Sequence, residues 1–250
     1  MLPQHGVIEC TRCFRDHHVK FGEALEFDGG WRLENTPASW GSRNPVVLIL
    51  GFSKGENQSR AGLDFDSIPF RGFRSNLTKI LQGLELLSSG DEIDRHIHAD
   101  EQDFGFGSLL RCSISKWNQS KNEWAKSGDV IETIASDPHG ACFLTNCADQ
   151  FLKDLPSRLK LIVMLSNSDS YMQLCRRTIT NLHCDVKQLN EVAYGNEGVT
   201  CVHVIHPSGS SGRHIPTWLA MSTDTRQGLK GVLAHQAVER SGAAAELQRH

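Results

Sequence analysis

The chain has 250 residues, of which 39% are hydrophobic, and its formal net charge is −3. These values predict a globular protein with a real core, built as one large domain or two small ones. Met1 to Cys10 lacks the apolar run of a signal peptide, and no apolar stretch approaches the roughly 20 residues that a membrane span needs. We therefore expect a cytoplasmic protein that does not enter a membrane.

Four largely apolar segments predict strands, and the first of them is a short, continuous apolar run typical of a buried strand. They lie at 45–51, 106–115, 159–165 and 199–205. Apolar residues at helical spacing predict helices at 73–87, 141–155 and 168–182, and another from about residue 216. Strands that alternate with helices predict an α/β fold, a three-layer α/β/α sandwich around a central, mostly parallel four-stranded sheet.

The rest of the chain is predicted to be less regular. Residues 1–44 read as an irregular N-terminal segment, 52–69 as a long polar loop, and 117–128 as a second loop. We expect one domain over residues 1–240 and a disordered tail over 241–250. In a parallel sheet, functional loops leave the carboxyl ends of the strands. Three segments are therefore candidates for chemistry, namely 51–55, 111–113 and 206–208.

Local groups of basic residues interrupt the mildly acidic chain. One group is Arg71, Arg74 and Lys79, and the other is Arg111, Lys116, Lys121 and Lys126. Such patches can contact phosphates even when the whole chain is acidic. Solvated faces are the alternative, and charge alone favours them.

Eight cysteines are many for a reducing compartment, where metal ligation or burial explains them better than disulfides. Cys10 and Cys13 form a C-x-x-C pair, while Cys112 and Cys147 are distant singles, with Cys142 as a rival to Cys147. Four thiolates suit either zinc or an iron–sulfur cluster. Because zinc sites usually combine two close pairs, a cluster is favoured. Buried free thiols best describe the cysteines at 175, 184 and 201.

The segment His206-Pro-Ser-Gly-Ser-Ser-Gly212 follows the last predicted strand. A histidine at a strand end can donate a hydrogen bond to a developing anion, and the Gly/Ser run lets backbone approach a phosphate. The alternative is a histidine capped by its own loop.

Two further segments suit recognition of a base. In Ile68-Pro-Phe-Arg-Gly72, Phe70 on a rigid turn can serve as a stacking platform, although a core phenylalanine at a helix entry is the better interpretation of this segment alone. In Gly51-Phe-Ser-Lys-Gly55, consecutive backbone N–H groups can hold an anion or a carbonyl oxygen. The second segment matches neither a P-loop nor a dinucleotide-binding motif.

Taken in order, these motifs resemble the uracil-DNA glycosylase superfamily, and most closely its bacterial and archaeal members that carry a four-iron, four-sulfur cluster. That family has C-x-x-C, G-E-x-P-G, P-F-x-G, N-x-x-K-C, a second single cysteine and H-P-S. The corresponding segments here are Cys10/Cys13, Gly51–Gly55, Pro69–Gly72, Ser108–Cys112, Cys147 and His206–Ser208. The resemblance spans residues 10 to 215.

The resemblance implies a monomeric base-excision repair enzyme. It would flip uracil out of single- or double-stranded DNA and hydrolyse the N-glycosidic bond, leaving an abasic site. His206 would stabilise the leaving base. The residues implied to bind the base are Gly51, Phe52, Ser53, Phe70 and Ser108, and those implied to bind DNA are Ser208, Gly209, Ser210 and Arg213. Cys10, Cys13, Cys112 and Cys147 would hold a 4Fe–4S cluster, with zinc as the alternative cofactor.

This sequence departs from the family pattern at two positions that the family uses for catalysis or base recognition. Phe52 stands where the family has a carboxylate or other polar group that helps to place the attacking water, and Ser108 stands where it has an asparagine. Glu56, Asn57 or Gln58 from the longer loop could place the water instead. The serine predicts relaxed base specificity, with xanthine or hypoxanthine as further substrates. A non-catalytic protein that binds abasic or damaged DNA is the alternative function.

Overall fold

The computed structural model describes residues 1–15, 17–55, 64–125 and 127–249. Its strands are β1 (Gly6–Val7), β2 (Ala24–Phe27), β3 (Trp31–Glu34), β4 (Ala38–Gly41), β5 (Val47–Ser53), β6 (Phe104–Leu110), β7 (Ser113–Asn118), β8 (Glu123–Ala125), β9 (Leu161–Leu165), β10 (Lys187–Asn190), β11 (Ala193–Gly195) and β12 (Thr200–Val204). Its α-helices are α1 (Arg74–Gly83), α2 (Ile131–Ile134), α3 (Pro138–Phe151), α4 (Asp169–Leu182), α5 (Ile215–Leu219), α6 (Arg226–Ser241) and α7 (Ala243–Leu247). The fold is mixed α/β.

The larger sheet has eight strands in the order β1-β4-β6-β5-β9-β12-β11-β10. Its centre, β6-β5-β9-β12, is parallel, and these strands correspond to the four predicted ones. The predicted total of four strands is too small, because antiparallel strands extend both edges: β4 and β1 on one side, β11 and β10 on the other. These edge strands are short, so the sequence carries no long apolar run to reveal them.

Alternate residues of the central strands enter two separate hydrophobic cores. Val47 and Ile49 join the core that contains residues of α1, α5 and α6, whereas Leu48 and Leu50 join the core that contains residues of α3 and α4. Both sets are nearly inaccessible to solvent. A strand with apolar side chains on both faces must be covered on both, which explains the continuous apolar runs in the sequence.

The smaller sheet, of order β2-β3-β7-β8, corrects two sequence expectations. The segment 1–44 contains strands β2 and β3, with Trp31 and Leu33 buried against the α3 side of the large sheet. The predicted single strand at 106–115 is two strands, β6 and β7, which belong to different sheets and are separated by Arg111–Cys112. The one charged residue of the segment, Arg111, stands where the chain leaves one sheet for the other, and the single-strand prediction overlooked it. The predicted loop at 117–128 contains β8.

Local signals in the sequence fix the helix ends. The Asp137 side chain accepts hydrogen bonds from the N–H groups of His139 and Gly140, and Pro138 occupies the first helical turn of α3. Gly242 ends α6 in the left-handed conformation, with φ of 69°. The chain then continues as α7, with Ala243 buried, so the predicted disordered tail over 241–250 is wrong for this segment. Within the described ranges, no helix combines the length and the apolarity required to cross a membrane.

His203 on β12 predicts a pH-dependent stability. Its imidazole is fully buried, with Nδ1 2.9 Å from the Ser166 carbonyl oxygen and Nε2 3.3 Å from the Tyr194 hydroxyl. Burial lowers the pKa of His203 from 6.5 to about 4. Between pH 6.5 and about pH 4, the His203 imidazole is protonated in the unfolded chain but not in the folded protein. Stability should therefore fall as the pH falls through this window, by about 3 kcal/mol from this residue.

The measurement is the free energy of unfolding of wild type and His203→Gln between pH 7 and pH 4. The difference between the two proteins should shrink as the pH falls, because glutamine has no proton to exclude. His18→Gln, at an exposed imidazole, is the matched control. A constant difference between wild type and His203→Gln across the window would contradict the prediction.

Candidate active site and four-cysteine centre

Parallel pairing brings the predicted base-binding residues of β5 and β6 side by side. Gly51 pairs with Ser108, and a Cβ on Gly51 would lie 3.9 Å from the Ser108 hydroxyl. The chain leaves β5 toward β6 on one side, and later returns to place β9 on its other side. Ligands of open α/β sheets bind outside the carboxyl ends of strands where the order reverses in this way. The segment 51–55 is at that point.

Phe52 and Ser53 project to opposite faces of the sheet, as successive residues of a strand do. Phe52 is buried, and its ring packs edge-on against Tyr171 of α4 at a centroid distance of 6.1 Å. The Ser53 hydroxyl is buried and has no hydrogen-bond partner among the described residues. A buried polar atom without a partner marks a place where a ligand group can bind. The sequence predicted a binding role for the backbone N–H of Ser53 but none for its hydroxyl.

The three candidates for placing water, Glu56, Asn57 and Gln58, lie outside the described residues.

His206 follows β12, and its ring is partly buried. Its Nδ1 lies 3.1 Å from the backbone N of Ser208, which donates, and 2.9 Å from the Ser208 hydroxyl. Burial lowers the pKa of His206. The imidazole is therefore neutral at pH 7. Since Nδ1 accepts a hydrogen bond, the proton of the neutral ring is on Nε2, which is left as a donor.

Two phenylalanines lie near this histidine, in different settings. Phe70 is buried between Phe73 and Phe106, each at a centroid distance of 6.1 Å. Its φ of 56° is in the left-handed region, where a bulky residue is strained. Phe73 is only partly buried, and its ring lies 5.9 Å from the His206 ring. The sequence singled out Phe70 and missed Phe73, whose only signal was a place in the helical apolar pattern.

Helix α1 holds the turn that carries His206. The Asn76 side chain donates to the Pro207 carbonyl oxygen at 2.9 Å, a contact that no sequence motif indicated. Gly209 has φ of 61° and begins a 3₁₀ helix that ends at His214. Arg213 in this helix is exposed. The predicted DNA-binding segment 208–213 therefore lies beside the histidine, although the Ser208 hydroxyl is already bonded to it. The side chain of Ser210 lies outside the described part.

The four predicted cysteine ligands all border the core on the α3 side of the sheet. Cys112 follows β6 and Cys147 lies in α3, and both are buried; Cys10 and Cys13 are partly buried and pack against the same core. Cys142 is exposed and lies beside Cys13, with the Asn146 amide nitrogen 3.5 Å from each sulfur. This geometry favours Cys147 over Cys142.

Burial dominates the chemistry of these thiols. It raises the pKa of Cys13 to about 11 and that of Cys147 to about 12, and it raises the pKa of Cys112 well above its ordinary value. Backbone hydrogen bonding acts in the opposite direction, from Thr36 to Cys112 and from Arg111 to Cys147. Among the residues that are described, no three His, Cys, Asp or Glu side chains are grouped closely enough to hold a metal ion.

Two cations are buried beside the thiols. Lys54 is 4% exposed and donates to the Thr36 carbonyl oxygen at 3.2 Å; burial lowers its pKa, and the charge of Glu34, followed by that of Cys112, opposes this shift. Arg111 is 2% exposed, directly precedes Cys112, and lies over the ring of Phe151, four residues after Cys147 on α3. The sequence placed Arg111 in a basic surface group, and the structure shows it inside the protein.

Two of the other basic residues form ion pairs. Lys116 pairs with Asp137 at 2.9 Å, and Arg74 pairs with Asp94 at 2.7 Å. Lys126 lies outside the described residues. The second basic group is therefore not one continuous patch.

The tautomer of His206 is directly testable. We expect a long-range ¹H–¹⁵N spectrum at pH 7 to show a protonated Nε2 and an unprotonated Nδ1, because the Ser208 N–H donates to Nδ1. His206→Gln assigns the signals by removing them. Ser208→Ala keeps the backbone donor and should keep the tautomer. A proton on Nδ1 in wild type would overturn the assigned geometry.

No protein-family model matches this chain, and no curated protein is significantly similar to it in sequence.

Proposed function

We propose that this protein is a monofunctional DNA glycosylase of the uracil-DNA glycosylase superfamily, which flips a deaminated base, uracil by default, and hydrolyses its N-glycosidic bond. The observation that carries the proposal is the neutral His206, whose Nδ1 is occupied by Ser208 and whose Nε2–H is available as a donor. In this interpretation, the four central parallel strands and the helices on their two faces form the three-layer α/β/α sandwich of that superfamily.

The chemistry assigned to His206 is stabilisation of an anion. As the glycosidic bond breaks, the sugar acquires oxocarbenium character and the base acquires negative charge on a carbonyl oxygen. A neutral Nε2–H group in a partly buried site stabilises that charge by donating a hydrogen bond to it. The cation that forms is reactive enough to be attacked by water that no strong base has activated. A phenylalanine at position 52 is therefore compatible with activity.

Base recognition is assigned to the carboxyl ends of β5 and β6. The backbone N–H groups of Phe52 and Ser53 would hold a base carbonyl, and the unpartnered Ser53 hydroxyl supplies a further polar contact. Ser108, next to Gly51, would contact the base edge. A hydroxyl can both donate and accept, so it discriminates bases less strictly than an amide and admits xanthine or hypoxanthine as substrates.

Stacking and DNA contacts are assigned to two flanking segments. The Phe70 and Phe73 rings would stack on the flipped base, with Phe73 the nearer to His206. Residues 208–213 would press on the DNA backbone, and the exposed Arg213 would fill the space that the base leaves. Extruding a base costs a few kcal/mol, which such contacts must offset.

We further propose that Cys10, Cys13, Cys112 and Cys147 bind a 4Fe–4S cluster. The residues fit an anionic group: Arg111, a buried cation with no hydrogen-bond partner among the described residues, directly precedes Cys112, and backbone hydrogen bonding reaches two of the sulfurs. When bound, the cluster would cross-link the N-terminal segment to β6 and α3, a structural role. Eight free cysteines suit the reducing cytoplasm, and we propose a monomer there.

The decisive experiment is single-turnover base release from uracil-containing oligonucleotides, single- and double-stranded. We expect His206→Ala to slow release by about 10²- to 10³-fold, the effect of removing one donor at a developing anion. His235→Ala, on α6 beside Glu85 and Glu239, is the matched control and should leave the rate unchanged. Binding of damaged DNA without base release by wild type would favour the non-catalytic alternative, and undiminished release by His206→Ala would refute the assigned role.

The cluster is tested separately by spectroscopy. Anaerobically purified protein should be brown, absorb at about 400 nm and contain iron, as iron–sulfur proteins do. Cys147→Ser should lose this absorbance, while Cys142→Ser, at the exposed neighbour, should retain it. Colourless protein that contains zinc would establish the alternative cofactor. If Cys147→Ser keeps the cluster and Cys142→Ser loses it, then Cys142, and not Cys147, is the fourth ligand.

A further inference from the structure

Arg111 is a charged side chain that is buried without any evident partner among the described residues. It is 2% exposed, and its Nε, Nη1 and Nη2 atoms have no hydrogen-bond partner among the described residues. Its guanidinium lies 5.3 Å from the ring centroid of Phe151 in α3 and against Gly107 of β6. A Cβ at position 107 would overlap Nη1, so a glycine is needed there for the guanidinium to fit.

An unpaired cation in such a place is unfavourable. Burying an isolated charge costs several kcal/mol even after the protein relaxes, and proteins normally offset this with a partner of opposite charge. The Phe151 ring offsets only part of it. No carboxylate lies within ion-pair distance of Arg111 in the part of the chain that is described. Arg111 directly precedes Cys112, and the Phe151 ring under its guanidinium lies four residues after Cys147 on α3, so the sulfurs of Cys112 and Cys147 are neighbouring groups that can become anionic.

The thiols provide negative charge only when they are ligands. A cysteine binds a metal as the thiolate, and four thiolates around a 4Fe–4S core give a centre of net negative charge. Arg111, which precedes Cys112 and lies over Phe151 of α3, would then lie beside an anionic centre.

We propose that Arg111 is the buried counter-cation of the cluster, and that it makes the reduction potential of the cluster more positive and helps to retain the cluster. The inference rests on the proposed cluster but not on glycosylase activity. A fixed positive charge stabilises the reduced state more than the oxidised state, because the reduced cluster carries one more negative charge. Arg111 acts on the cluster without being one of its ligands.

The test is the midpoint potential of the loaded, full-length protein, measured by a mediated titration that follows the one-electron reduction of the cluster. Arg111→Met removes the charge and roughly keeps the volume, Arg111→Gln also keeps hydrogen-bond donors, and Arg111→Lys keeps the charge. At a fixed potential we expect the ratio of reduced to oxidised cluster to fall about tenfold in the two neutral variants, a shift of about 59 mV. Arg111→Lys should stay close to wild type.

Arg158→Met is the matched control. Arg158 is a partly buried arginine that pairs with Asp103 at 2.6 Å, before the start of β6 rather than after its end. Loss of its charge should leave the potential unchanged. The rate at which the cluster bleaches in air supplies a second measurement, and it should rise several-fold in Arg111→Met and Arg111→Gln only.

The outcomes separate the proposals. If the neutral variants fold but do not retain iron while Arg111→Lys does, the requirement for a cation is supported. Neutral variants that are loaded and keep the wild-type potential would overturn the inference, as would an Arg111→Lys protein that behaves like Arg111→Met. An iron-free wild-type protein would overturn the cluster proposal and this inference together, and base release would remain a separate question.

Discussion

The parallel pairing of β6, β5 and β9 is the constraint on which both candidate sites depend. Parallel strands place their carboxyl ends at one edge of a sheet, so the residues that follow β5 and β6 must meet there. Strand β6 contributes twice: Ser108 lies beside the Gly51 turn, and Cys112 follows the end of the strand. A shift in the β5–β6 register would move the proposed base-binding residues and the four candidate cysteines at once.

The two faces of the sheet separate two kinds of chemistry. On one face, α1 positions the candidate active site, because Asn76 holds the Pro207 carbonyl and Phe73 lies against His206. On the other face, α3 supplies Cys147 and packs near the N-terminal segment that carries Cys10 and Cys13. Because the side chains of a strand alternate between the two faces of the sheet, the two candidate sites lie on opposite faces. The turn at 51–55 is near both of them.

Sequence reasoning succeeded where chemistry or periodicity leaves a local trace. Apolar content predicted the four central strands, which the parallel part of the larger sheet confirms. It failed where the decisive fact is burial in three dimensions. Arg111 looked like part of a basic surface group, because charge patterns do not reveal which face a residue occupies, and Phe73 looked like any apolar residue of a helix. Short antiparallel strands such as β1 and β11 left no pattern long enough to detect.

The same physical effect, removal from water, has opposite consequences for His206 and Arg111. Burial lowers the pKa of the imidazole, which becomes neutral and so remains a hydrogen-bond donor rather than a charge. Burial lowers the pKa of the Arg111 guanidinium only to about 10, so it stays charged at neutral pH. A histidine can escape the cost of burial by losing its proton, but an arginine cannot, and it requires an anion nearby. In the described structure the sulfurs of Cys112 and Cys147 are where that anion would form, which is why the buried arginine supports an anionic centre more strongly than the cysteines do by themselves.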